Sequence, residues 1–331
     1  MIHRQLDARI KDLFDVHGDV ITLGDADASG VPRDALRRAA GGHLLERVGR
    51  GTFVRSTDLE GADQWEQYRL RSIGFILGIA PDVHLCGPSA QAVLRMPSVI
   101  DPPSLPMARR PGPAHRGPDR TPIGRIRTGH LPEVHQWTRD RARVTSMVYT
   151  TVDAIRYASA DEALVIVDHA LRHGATRDQL VRLALEMENY PGIHRVLWAI
   201  EHGDPRAESA LESLGRLAFI EAGRPAPLSN VWIFDHRRAA RVDHLLPGSG
   251  VVIEGDGGLK VNNRPDAHRV IDAQVDRERW LRSIGYLVER YNYSTGRYHR
   301  EKIVRRADLA VLQRGDRPVP TGWSMERPAW I

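Results

Sequence analysis

The sequence predicts a multi-domain α/β protein: three helices and a hairpin at the N-terminus, a mostly helical middle region, and a C-terminal α/β module with a mixed sheet. Three observations carry that reading. At 331 residues the chain is longer than one hydrophobic core usually serves, about 250 to 300 residues. Apolar residues near the start recur at helical spacing and then give way to two short strand-like runs. Beyond residue 204 a helical stripe is followed by strand-like runs separated by turn residues. The expected domains are 1–57, 58–203 and 204–310, with a tail over 311–331.

In the N-terminal part, Ile2, Leu6, Ile10, Leu13 and Phe14 mark a first helix that His17 and Gly18 end. Thr22 with Asp25 three residues later signals the capped start of a second helix running to Ala28. Ser29-Gly30 makes a turn, and Pro32 suits the first turn of a third helix to about Ala40. There Leu36 and Ala39 or Ala40 face inward while Arg33, Arg37 and Arg38 face out. Two short strands, His43 to Val48 and Thr52 to Arg55, meet at Gly49-Arg50-Gly51. Three helices and such a hairpin form a winged helix-turn-helix, in which the third helix enters the DNA major groove and the hairpin meets the backbone or minor groove.

Charge is distributed to match. The chain's formal charge is only +5, too mild by itself to mark a nucleic-acid binder. Between Arg33 and Arg55, however, six arginines face two acids, a local +4, whereas residues 1–32 carry a net −3. The expected DNA contacts are Arg33, Arg37, Arg38, Arg47 and Arg50. No apolar run reaches the roughly 20 residues that span a bilayer, and the charged N-terminus is unlike a secretory signal, so a cytoplasmic protein without membrane contact is expected. The one cysteine, Cys86, permits no internal disulfide and reads as a small core residue.

The middle region holds no motif that dictates chemistry. Trp65 to Ile79 and Leu85 to Leu94 read as helices, the second capped by Ser89. Eight prolines between Pro97 and Pro122 predict an extended basic loop or edge strand with Arg109, Arg110, Arg116 and Arg120 exposed. Val144-Thr-Ser reads as the start of a strand, followed by helices at 151–155 and 161–171. His84, His115, His130 and His135 follow no metal-ligand spacing and read as structural, as do Asp153 and Asp168.

In the C-terminal module, Ser209 and Glu212 open a helix striped by Leu211, Leu214 and Leu217. Strand-like runs follow at 231–235, 240–246 and 250–257, then a helix at 272–283 and a last strand at 286–291. Asp243 lies on the second of these strands, while Glu254 and Asp256, two apart on the third, share a face. Carboxylates clustered on adjacent strands can hold Mg²⁺, which activates water and stabilises charge on a phosphodiester. Glu212 would be a fourth member, although its pairing with Ser209 as a helix cap explains it equally.

Two resemblances extend these readings. The segments Val31 to Arg38 and Leu45 to Phe53 resemble the N-terminal domain of the AbiEi family of antitoxin-type transcriptional regulators, and the order of the middle region resembles that family's central part. The likeness implies operator binding to double-stranded DNA but no known partner toxin; a cognate toxin protein is a partner only if the chain acts by protein interaction. The C-terminal module resembles the very-short-patch-repair branch of the PD-(D/E)XK nuclease fold in Ser209-Ala-Leu-Glu212, Arg241-Val-Asp243, Ile253-Glu-Gly-Asp-Gly257, Asp276 with Arg279, and Gly285-Tyr-Leu-Val288. That likeness implies Asp243 and Glu254 as the metal-holding pair, Glu212 as the helix acid, and Asp256 where the superfamily has its catalytic lysine. Two alternatives then stand equal: Lys260 supplies the missing positive charge, or the site is inactive and kept only as a fold.

Three functions remain open to the sequence: an antitoxin-type regulator carrying a nuclease-like module, a Mg²⁺-dependent endonuclease localised by its winged helix, and an antitoxin acting mainly by holding a toxin.

Overall fold

The computed structural model describes residues 6–113, 119–257 and 267–330. The chain forms two compact units. One contains Met1–Ala158 and Ala175–Ile200, the other Ser159–Gly174 and Glu201–Ile331.

The first unit opens with α1 (Ala8–His17), β1 (Ile21–Thr22), α2 (Leu23–Ala28), α3 (Arg33–Gly41), β2 (Leu45–Gly49), β3 (Thr52–Arg55) and α4 (Ser56–Glu60). Asp7 caps α1 by accepting the Arg9 amide. The reciprocal Thr22–Asp25 capping box expected for α2 is formed. Ile10, Leu13, Phe14, Leu36, Leu45 and Phe53 are buried in one small core, each side chain worth about 1.5–3 kcal/mol on burial. The strands order β1-β3-β2, all antiparallel, with an irregularity between Arg47 and Gly49.

The unit continues with α5 (Gln64–Leu77), β4 (His84–Leu85), α6 (Gly87–Val93), β5 (Met107–Pro111), β6 (Asp119–Thr121), β7 (Gly124–Gly129), β8 (Gln136–Arg139), β9 (Ala142–Thr145) and α7 (Met147–Ile155). A mostly helical middle was expected. Instead a six-stranded mixed sheet, order β6-β7-β5-β4-β9-β8, runs through it. Its strands are short and rich in arginine, glycine and proline, so they lack the apolar alternation that announces a strand. Arg109, expected to be exposed, sits on an inner strand and is 4% exposed, donating to Asp153 at 3.0 Å. Arg156 reaches the same carboxylate oxygen, also at 3.0 Å. Ser89 does not cap α6, whose N-cap is Cys86. It is buried instead, bonding Tyr68 Oη at 2.8 Å and accepting the Met107 amide at 2.8 Å, which ties α5, α6 and β5 together. Arg116 lies outside the described residues, as does the side chain of Arg120.

After α8 (Ala160–Arg172), which belongs to the second unit, α9 (Arg177–Glu186) and most of α10 (Ile193–His202) return to the first. The second unit resumes with α11 (Ala210–Glu221), β10 (Leu228–Phe234), β11 (Ala239–Leu246), β12 (Val251–Asp256), α12 (Ala267–Ser283), β13 (Leu287–Asn292), α13 (Tyr293–Tyr298), α14 (Glu301–Arg314) and β14 (Trp323–Ser324). The sheet orders β13-β12-β11-β10-β14, and β12 and β13 run parallel while the other pairs are antiparallel. It is therefore mixed, as expected, and the segment read as a tail adds its edge strand β14. One face packs on α11 and α14 through Phe219, Ile253, Ile303 and Ala307; a second cluster joins Val242, Val252, Leu281 and Tyr286.

The hairpin and α5 meet at bare backbone. A Cβ placed on Gly49 would lie 2.4 Å from the Gly74 carbonyl oxygen, and one on Gly74 would lie 2.3 Å from Val48 Cγ2. Thr52 Oγ1 donates to that same Gly74 oxygen at 3.1 Å in a buried bond. Since the obstructing atoms belong to packed backbone, Gly49→Ala is expected to destabilise the protein by about 1–3 kcal/mol. Thermal denaturation should register this as a melting temperature lowered by several degrees, and an unchanged value would mean that the hairpin is not seated on α5.

Candidate functional site

The arginine-bearing surface is built on α3 and the hairpin. Ala35, Leu36 and Ala39 are buried, so helical geometry turns Arg33, Arg37 and Arg38 outward together. The three are not equivalent. Arg33 is clamped to Asp27 across the helix-turn-helix corner, Nε to Oδ1 at 2.9 Å and Nη2 to Oδ2 at 2.5 Å. Its guanidinium holds the Asp27 carboxyl below the usual range. Arg37 reaches Asp34 one turn back at 2.9 Å, with both side chains well exposed. Arg38 is exposed and makes no ion pair among the described residues. On the hairpin, Arg47 Nε donates to the Gly49 carbonyl at 3.0 Å and so braces the turn. Arg50 is exposed at the tip. Its backbone is seated, because a Cβ on Gly78, just past α5, would lie 2.7 Å from the Arg50 carbonyl oxygen.

Two arginines from the body of this unit hold the module in place. Buried Arg69 of α5 binds Asp19 at 2.5 Å and Glu66 at 2.6 Å. Arg141, between β8 and β9, binds Asp25 at 2.6 Å and the His17 carbonyl at 3.2 Å. Neither was legible in the sequence, since Asp19 lies 50 positions from Arg69 and Asp25 lies 116 from Arg141.

The second unit brings three of the expected acids together. Glu212, at the start of α11, accepts from Ser209 Oγ at 2.8 Å, the Glu208 amide at 2.9 Å and Asn230 Nδ2 at 2.7 Å. Asp243 on β11 accepts the Gly255 amide at 2.9 Å. Glu254 on β12 is 7% exposed and faces two guanidiniums. Arg277 of α12 donates to its Oε1 and to the Arg241 carbonyl; Arg290 of β13 lies 3.8 Å from its Oε2. Burial pushes all three carboxyls above their ordinary values, helped at Asp243 by Glu254 and at Glu212 by Asp243, and opposed at Glu254 by Arg277 and Arg290. Buried Tyr291 is raised well above the usual phenol range, first by burial and then by Asp243 and Glu212. Asp256 is exposed at the end of β12, and Lys260 lies outside the described residues.

That donor set does not fit Mg²⁺. The ion needs near-octahedral oxygen ligation with carboxylate lone pairs free to face it. Here Glu254 is turned to arginines and Glu212 is consumed by three donors. Among the described residues no group of three or more His, Cys, Asp or Glu side chains is arranged to hold a metal. The sequence reading singled out Asp276 and Arg279 on α12, yet Arg277 is the residue directed inward. Its signal is Leu281, 1% exposed and one helical turn along the same face.

With this geometry in view, the comparisons bear on one part of the chain. Residues 8–56 match the family model for the AbiEi antitoxin transcriptional regulator. The AbiEi match covers α1 to β3, the three helices and hairpin that carry Arg33, Arg37, Arg38, Arg47 and Arg50. No curated protein matches the chain. The crystal structure of the RV2827C protein from Mycobacterium tuberculosis is similar at a TM-score of 0.34 and 13% identity, covering 68% of this chain and 85% of that one, too distant a likeness to bear on the fold. No helix among the described residues is long and apolar enough to cross a membrane.

Two measurements check the second unit. Millimolar MgCl₂ is expected to leave the melting temperature unchanged; a rise that disappears in Asp243→Asn would establish a cation centre instead. Fully buried His244 is depressed by burial to about 3. Its contribution to stability is thus present above the ordinary histidine value near 6.5 and is lost as pH falls toward 3. The raised carboxyls act oppositely, their contribution being lost as pH rises. Denaturation midpoints at neutral and acid pH should fall less steeply on the acid side in His244→Gln than in the wild type. Equal falls would remove His244 from the account.

Proposed function

We propose that the protein is a DNA-binding transcriptional regulator of antitoxin type, whose winged helix-turn-helix contacts an operator through α3 and the hairpin tip. The observation that carries this reading is the outward face of α3 within the AbiEi-matched segment. Arg37 and Arg38 stand there exposed, Arg38 without an acidic partner among the described residues. Guanidiniums so placed reach guanine edges or phosphates when the helix enters the major groove. Arg50 at the tip adds a contact beside the helix. Arg33 and Arg47 have different parts in this reading: Arg33 fixes the angle between α2 and α3, and Arg47 shapes the turn that presents Arg50.

Nothing in the second unit's donor set favours the endonuclease reading, and no cleavage step is assigned to Glu212, Asp243, Glu254, Asp256 or Lys260. In the regulator reading their module is a structural body, and the family description implies a toxin as the protein partner.

The test is a gel with labelled DNA from upstream of the protein's own gene, run with and without Mg²⁺. Retardation without cleavage is expected. Arg37→Ala/Arg38→Ala should weaken retardation roughly tenfold or more, since each guanidinium contact of this kind is worth about 1–3 kcal/mol. Undiminished binding by that variant at moderate salt would sink the proposal. Cleavage lost in Asp243→Ala would turn the reading to a nuclease.

A further inference from the structure

Residues 290–317 hold eight lysines and arginines against three acids, a net +5 that equals the formal charge of the whole chain. The structure sorts seven of these charges into two groups, and the eighth, Arg317, is exposed just past the end of α14. Arg297 and Arg300 are paired with Asp161, Arg300 also holds Glu221 through two bonds of 2.8 and 2.9 Å, and Arg290 is paired with Glu278 and Glu254. Arg314 is buried and donates to backbone carbonyls. These arginines belong to the fold. Lys302, Arg305 and Arg306 are different: all three are exposed on the first two turns of α14 and make no ion pair among the described residues. Arg306 donates one bond, to the Arg290 carbonyl at 2.8 Å. Beside them Tyr298 is 68% exposed at the end of α13, with the Arg297 guanidinium 5.5 Å from its ring centre.

We propose that this surface is a second, sequence-independent DNA contact, in which Lys302 and Arg305 neutralise phosphates and Tyr298 Oη donates to the sugar-phosphate backbone. Lys302, Arg305 and Arg306 stand at i, i+3 and i+4, and so share one face of α14. Lys302 and Arg305 are separated by about 4.5 Å along the helix axis, comparable to the roughly 3.4 Å phosphate step of one DNA strand and within the reach of such long side chains. Cations presented with a tyrosine hydroxyl are the side chains that position proteins on a duplex without reading its sequence. Charge complementarity therefore favours a polyanion as occupant, and the choice of DNA rests on the regulator reading of the N-terminal module. The second unit would then supply general affinity while α3 supplies operator choice, so that one chain grips DNA at two places.

The test measures binding of the full-length chain to a fluorescent duplex of unrelated sequence over a range of salt concentrations. Each phosphate contact contributes about 0.9 to the slope of log affinity against log salt. Lys302→Ala/Arg305→Ala should therefore flatten the slope by about two and weaken binding at least tenfold, whereas the charge-preserving Lys302→Arg/Arg305→Lys should restore both. The same loss is expected in the Arg37→Ala/Arg38→Ala background, which isolates this surface from the winged helix. An unchanged slope overturns the proposal while leaving the winged-helix reading intact. If Arg37→Ala/Arg38→Ala still recognises the upstream DNA and only the α14 variant fails, the winged-helix reading falls and this one stands. Capture of the protein by phosphatidylglycerol vesicles, with no affinity for duplex, overturns it in favour of an anionic membrane surface.

Discussion

The first unit turns on the contact between two backbones at Gly49 and Gly74. With no side chain on either residue, the hairpin turn can lie against α5 closely enough for Thr52 to bond the Gly74 carbonyl. Any larger residue would place a carbon within about two and a half ångströms of packed atoms, a separation that real structures avoid. The turn backbone is seated on α5, and Arg50 extends from its tip. Arg69 on Asp19 and Arg141 on Asp25 add two ionic tethers, so the helix-turn-helix and the sheet body of this unit form a continuous structure. The exposed face of α3 follows from that seating.

Buried arginines recur as the device that places charge inside this protein. Arg109 and Arg156 share Asp153 and Arg216 holds Asp168 at 2.7 Å, while half-buried Arg277 reaches the buried Glu254. Replacing such pairs by well-packed apolar residues is often neutral or stabilising, whereas removing one partner costs about 3–5 kcal/mol because the other charge is left buried. The same rule changes the meaning of the carboxylate cluster. A glutamate facing two guanidiniums has its negative charge answered from within the chain, so it is not presented to a cation in the way the sequence motif implies.

A division of labour follows among arginines that look alike in sequence. Arg33, Arg47, Arg277 and Arg300 have acids or carbonyls to hold and serve geometry. Arg38, Arg50, Lys302 and Arg305 extend into solvent without such partners, and they are the groups whose charge is available to a polyanion.

By itself the sequence determined the local elements. The helical stripe of α1, the Thr22–Asp25 box, the inward Leu36 with outward Arg37 and Arg38, and the order of helix and strands from Ser209 to Asn292 all follow from periodicity and capping, which act within a few residues. The carboxylates Glu212, Asp243 and Glu254 lie near enough to influence one another's ionisation, as a helix followed by adjacent strands allows. Only the tertiary structure decided what such residues do. The six-stranded sheet of the middle region was hidden because Arg109 and its neighbours read as a polar loop until Asp153, 44 positions away, is seen to neutralise the buried guanidinium. The pairing of Arg33 with Asp27, the seating of Gly49 on Gly74 and the turning of Arg277 toward Glu254 are likewise set by partners far along the chain or across an inter-element angle. Periodicity carries no record of such distances, so a charge can be recognised in the sequence while its partner, and hence its role, is supplied only by the fold.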